Sequence, residues 1–99
     1  MKRDEIEQRL RKYLERDRTG VRKELIKLLL DGGKYTTEDI HKFLLEKGYQ
    51  LNLRGVSAMV GLMSARLGIV KMELGEKNRY YLKREYEDLV RSILVNFET

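Results

Sequence analysis

Past Gly68 the apolar residues of this 99-residue chain change period from 3.6 to 2, and past Lys83 they change back. In "IVKMEL" (69–74), Val70, Met72 and Leu74 alternate with Ile69, Lys71 and Glu73. One extended stretch this short needs a partner close by. "GEKN" (75–78) followed by "RYYLK" (79–83) supplies a turn and a second strand, so the segment reads as a β-hairpin. The remainder has helical spacing. The class is therefore mainly α with a small β-hairpin, an α+β arrangement.

Glycine punctuates the helices, since the chain has eight glycines and no proline. Residues 4–16 form a first helix, with Ile6, Leu10, Tyr13 and Leu14 inward and Glu5/Arg9, Glu7/Arg11 and Arg11/Glu15 paired four apart on its outer side. Thr19 is placed to cap a second helix that runs to Asp31, turns Val21, Leu25, Leu28 and Leu29 inward, and stops at Gly32-Gly33. "KYT" (34–36) is a short extended piece. Thr36-x-x-Asp39 is spaced as a capping box and opens a third helix to about Lys47, burying Ile40, Phe43 and Leu44; Gly48 ends it. "GYQLN" then turns into a fourth helix, "NLRGVSAMVGLMSARLG" (52–68). From Arg84 to residue 98 the helical period returns, with Tyr86, Leu89, Val90, Ile93, Leu94 and Phe97 on one broad apolar stripe. With no linker, repeat or low-complexity stretch, residues 1–99 read as one domain.

The net charge is +5, unevenly spread. Residues 1–34 carry 11 basic and 7 acidic groups, and residues 84–99 carry 2 and 4. Such a bias fits nucleic-acid binding, although the richness in charged residues also fits a thermophile's surface. The absence of cysteine excludes disulfides and thiolate metal sites. The longest apolar run, "LIKLLL", is interrupted by Lys27, and the N-terminal segment lacks an apolar leader core. No membrane association and a cytoplasmic location are the expectation.

The middle of the chain, residues 19–83, looks like a winged helix-turn-helix domain, with "GEKN" at the tip of the wing and flanking helices at 4–16 and 84–98. More closely, "DRTGVRKELIKLLLDGGKYTTEDIHKFLLEKGY", "RGVSAMVGLMSARLGIV" and "RYYLK" resemble an uncharacterised family of small archaeal winged-helix proteins. That resemblance implies a fold. It carries no established biochemical role.

Catalytic groups are sparse. His41 is the only histidine and sits beside the apolar stripe of its helix, a partly exposed surface position. "DGGK" follows a helix instead of joining a strand to one, so it is no phosphate loop. No enzyme, metal site or cofactor is expected.

The fourth helix is the informative one. Advancing about 100° per residue places Leu53, Val56, Met59, Val60, Met63 and Leu67 on its buried side. Arg54, Ala58, Gly61, Leu62 and Ala65 face the other way, flanked by Ser57 and Ser64. In a major groove, Arg54 would reach a phosphate or guanine edge and the serines would bond phosphates. Thr37 (with Thr36) at the start of the preceding helix suits a phosphate. Lys77, Asn78 and Arg79 in the wing, and Lys71 beneath them, complete the expected set; Arg18, Arg22 and Lys23 extend the basic surface. Of Tyr80 and Tyr81, one is expected in the core and the other half-exposed. The expected function is double-stranded DNA binding, mainly through the phosphate backbone, by a transcriptional regulator that dimerises through its flanking helices. The alternative is a protein-interaction module whose Ala58/Gly61/Leu62/Ala65 face packs on another backbone. Gly61, which costs about 1 kcal/mol relative to alanine inside a helix, would then serve close approach by a second protomer or by the chain's own C-terminal helix.

Overall fold

Helical spacing becomes helix wherever it occurs. The computed structural model describes residues 3–97. Within them run α1 (Arg3–Glu15), α2 (Val21–Leu29), α3 (Thr37–Glu46), α4 (Leu53–Ala65), β1 (Val70–Glu73), β2 (Arg79–Leu82), a 3-10 turn (Arg84–Tyr86) and α5 (Glu87–Asn96). The expected end of the last helix, residue 98, lies outside the described residues. The architecture is mainly helical with a small antiparallel two-stranded sheet.

Two helix starts follow local side-chain chemistry. At α3 the Thr36 hydroxyl accepts from the Asp39 amide at 3.0 Å, while Asp39 accepts from the Thr36 amide at 3.1 Å. At α4 the Asn52 side chain accepts from the Gly55 amide at 2.8 Å. Each satisfies first-turn amides that have no partner inside the helix. The start of α2 differs from expectation. Gly20, with φ of 87°, occupies the cap position, and Thr19 reaches only the Val21 amide, at 3.3 Å. Asp17 does the capping, its two oxygens each 3.1 Å from the amides of Arg22 and Lys23. The left-handed turn at Gly20 brings a carboxylate from the end of α1 onto the positive end of α2.

The glycine pair after α2 divides two tasks. Gly32 takes a positive φ of 86°, and Gly33 makes room. A β-carbon there would lie 2.7 Å from the Tyr35 hydroxyl oxygen, which itself donates to Asp31.

Strands β1 and β2 pair in register from Val70 opposite Leu82 to Glu73 opposite Arg79. Tyr35 adds one rung, its amide 2.9 Å from the Tyr80 carbonyl and its carbonyl 2.7 Å from the Tyr80 amide. Tyr80 and Tyr81 are both half-buried, instead of one being core; Tyr80 packs on the core and Tyr81 lies beneath the Lys34 ammonium, 5.1 Å from its ring centre. Val70 is buried, but Met72 and Leu74 on the same side of β1 are 39% and 76% exposed. The hairpin outruns the core.

One apolar cluster joins all five helices, and α1 packs against α5, α3 against α4, and α4 against β1. Ile6, Leu10 and Leu14 of α1 and Val90, Ile93 and Leu94 of α5 are buried in it. In α2 the fully buried residues are Leu25, Ile26 and Leu29, while Val21 and Leu28 are half-buried. Phe43 is also half-buried, and Leu53, expected inward, is 39% exposed. Among the described residues no helix is long and apolar enough to cross a membrane.

Candidate nucleic-acid interface

The outward side of α4 is uncovered. Arg54, Ser57, Ala58, Gly61 and Ala65 are exposed, and Leu62 and Ser64 are half-buried. Among the described residues nothing stands within 4 Å of where a β-carbon on Gly61 would be. The close approach by this chain's own C-terminal helix, considered from sequence, does not occur. Instead α5 lies against α1. The strip is therefore narrow, small-residue and open, with one cation, Arg54, in its first turn.

His41 orients the entrance to that strip. It is half-buried, and its Nε2 donates to the Leu51 carbonyl at 2.8 Å, tying α3 to the turn that leads into Asn52 and Arg54. This makes it a positioning residue for the turn. The sequence showed only its place beside the apolar stripe, because its acceptor is a backbone carbonyl ten residues on.

The hairpin and the start of α3 are brought together. Lys77 Nζ lies 3.5 Å from Glu38, and the Thr37 hydroxyl donates to the same carboxylate at 3.1 Å. The Glu38 amide, Thr37 and Lys77 hold the Glu38 carboxyl below its usual range. Glu73, hydrogen-bonded to Lys34, is likewise held low. Thr36, Glu73, Leu74, Lys77 and Arg79 line a cleft between hairpin and helix. The Thr36 hydroxyl is buried and spent on its cap, and Thr37 already bonds a carboxylate. A phosphate at this helix start would meet Glu38 and Asp39, so local electrostatics oppose the phosphate role expected for Thr37. Asn78 and Arg79 are exposed at the hairpin. Arg54, Ser57 and Ser64 belong instead to the α4 strip.

Several basic residues of the N-terminal third have internal work. Arg3 donates to the Glu85 carbonyl at 2.9 Å, Arg9 to the Arg66 carbonyl at 3.0 Å, Arg22 to the Tyr13 carbonyl at 2.7 Å and Lys23 to the Phe97 carbonyl at 3.0 Å. Arg22 also lies 4.1 Å over the Tyr13 ring. Arg22 and Lys23, expected to extend an external basic surface, thus fasten helix ends. Arg18 remains exposed. Among the described residues no cluster of His, Cys, Asp and Glu is arranged to hold a metal ion.

The chain is 66% identical over 94 residues to an uncharacterized protein of Archaeoglobus fulgidus, which covers 95% of this chain and 97% of that protein. No solved structure matches. A family described as "protein of unknown function (DUF2551)" matches residues 10–90, from the middle of α1 into α5, and on that coverage the chain belongs to the DUF2551 family.

Proposed function

We propose that this protein binds double-stranded DNA as a winged helix-turn-helix regulator, with α3 and α4 as the helix-turn-helix and the β1–β2 hairpin as the wing. The observation that carries the reading is the open α4 strip. It is a 13-residue helix anchored along one side in the core, with Arg54, Ser57, Ala58, Gly61 and Ala65 uncovered on the other. Small side chains let a helix sit deep in a major groove about 12 Å wide. Further support comes from the element order and from the Tyr35–Tyr80 rung, which pins strand β2 of the hairpin to the segment before α3. Arg54 would reach the groove, Ser57 and Ser64 its walls, and Lys77, Asn78 and Arg79 the neighbouring backbone. Little in this set reads bases, so affinity would be mostly phosphate-based and salt-dependent.

The same strip favours a second reading, a protein-interaction module, because no described residue covers Gly61. One experiment separates the two. Fluorescence anisotropy with random-sequence duplex DNA, titrated from low to physiological salt, should show binding that weakens steeply as salt rises. Arg54→Ala should weaken it by about 1–3 kcal/mol if the arginine reaches a base edge, or lower the salt slope by about 1 if it reaches a phosphate. Lys77→Glu with Arg79→Glu should abolish binding. No binding at low salt would reject the DNA reading and leave the strip as a protein contact.

A further inference from the structure

Between α1, the start of α2 and the C-terminal end of α4 lies a cleft of about 650 Å³. Among the described residues five cations line it, Arg9, Lys12, Arg16, Arg22 and Arg66, and no carboxylate does. Elsewhere acids stand beside Arg11, Lys34, Lys77 and Arg91, which pair with Glu7, Glu73, Glu38 and Glu87. Two of the five have a structural role. Arg9 and Arg22 satisfy the carbonyls of Arg66 and Tyr13. Lys12, Arg16 and Arg66 are exposed, and among the described residues no carboxylate pairs with them. These three like charges repel one another, and an anion seated among them relieves that repulsion.

The cleft is continuous with the α4 strip, because Leu62 and Ala65 line its wall. From Arg54 to Arg66 is twelve residues, about 18 Å along a helix. That is longer than the major groove is wide, about 12 Å. A helix seated in the groove at an incline to it therefore brings its two ends toward the two flanking phosphate backbones. Arg54 stands at one end. At the other stand Arg66 and, from a different helix, Lys12 and Arg16.

We infer that this cleft seats the second phosphate backbone of a bound duplex, making α1 part of the nucleic-acid interface. The inference rests on the DNA-binding reading above and adds its missing cationic half. Its ligand is a run of backbone phosphates; a free polyphosphate shares that chemistry and is separated by the test.

The test is the salt dependence of duplex binding by the full chain, compared for wild type, Lys12→Ala with Arg16→Ala, Arg66→Ala, and the charge-matched control Lys27→Ala with Arg91→Ala. The control pair lines a separate cleft between α2 and α5. Each phosphate contact contributes about 0.9 to the slope of log affinity against log salt. The double variant should lose about 2 from that slope, Arg66→Ala about 1, and the control should match wild type. Unchanged slopes in the cleft variants, with wild type still binding, overturn this inference and leave DNA binding standing. Failure of wild type to bind any duplex overturns both. In parallel, inorganic pyrophosphate is titrated into wild type and the double variant with melting temperature as readout. Pyrophosphate stabilisation that disappears in the double variant, with duplex slopes unchanged, reassigns the cleft to a small anion and also overturns the inference.

Discussion

A tyrosine hydroxyl that donates to a carboxylate keeps its proton more firmly when folded than when unfolded. Tyr35 does this with Asp31, and its pKa is pushed up to about 12 from 10.0, first by that hydrogen bond and then by burial. The unfolded chain releases this proton first, so folding stability falls as pH rises, from about 10 through about 12, and the contribution is intact below that window. Burial pushes Tyr13 and Tyr49 in the same direction. Tyr35→Phe should therefore show a shallower, not absent, loss of stability across that range, read from denaturant melts at successive pH values. An identical decline in wild type and variant would deny the Tyr35–Asp31 coupling. At neutral pH, His41→Ala should cost about 0.5–1.5 kcal/mol by freeing the Leu51 carbonyl and loosening the turn before α4. At this scale legibility depended on sequence distance. The Thr36/Asp39 cap lies within three residues and was readable. Asp17 capping α2 from five residues back and His41 holding Leu51 depend on how the turns close, which no local pattern encodes.

Among the elements, α1 decides whether the flanking helices are appendages or core. A winged domain expected to close over residues 19–83 would tolerate a weakened α1. Yet Leu10 is 0% exposed and Ile6 1%, in the same cluster as Leu25, Val60 and Val90. Leu10→Ala should then cost about 2–5 kcal/mol in a single cooperative denaturant transition. A loss below about 1 kcal/mol, or a separate early transition, would mark α1 as an appendage. Periodicity located this helix and its stripe correctly, because its outer side is charged throughout. In α2 it placed Leu25 and Leu29 correctly and brought Val21 and Leu28 against the core, where they are half-buried, but it missed Ile26, because "LIKLLL" presents leucine or isoleucine in nearly every direction. It also overfilled element ends. Leu53 at the start of α4, and Met72 and Leu74 along β1, fit the pattern but project beyond the core, since a repeat gives direction and not depth.

For the whole molecule, net charge was legible and its use was not. Part of the basic surplus is consumed on the carbonyls of Glu85, Arg66, Tyr13 and Phe97, holding α1, α2, α4 and α5 to one another. What remains outward is spread over the surface, with Arg18, Lys42, Lys47 and Arg84 exposed as well as Arg54, Lys77, Arg79 and the lining of the α1–α4 cleft, so a charge of +5 by itself singles out no face. The same internal use of side chains bears on assembly. A homodimer through the flanking helices was expected because their apolar stripes needed covering, and α1 and α5 cover them mutually. The radius of gyration, 12.7 Å, matches the roughly 13 Å of a compact 100-residue domain. On α5 the large apolar side chain left exposed is Val95, at 57%, too little for an interface that needs on the order of 800 Å² from each partner. Light scattering across micromolar concentrations, without DNA, should therefore return the 11.8 kDa mass of one chain. A constant doubled mass would instead require a dimer built on another surface, with the uncovered Ala58/Gly61/Ala65 strip as the first place to look. Gly61→Arg would then decide it, since a long side chain there blocks helix-to-helix approach and should return the chain to a single copy, leaving the melting temperature nearly unchanged because no described residue stands within 4 Å of a β-carbon at that position.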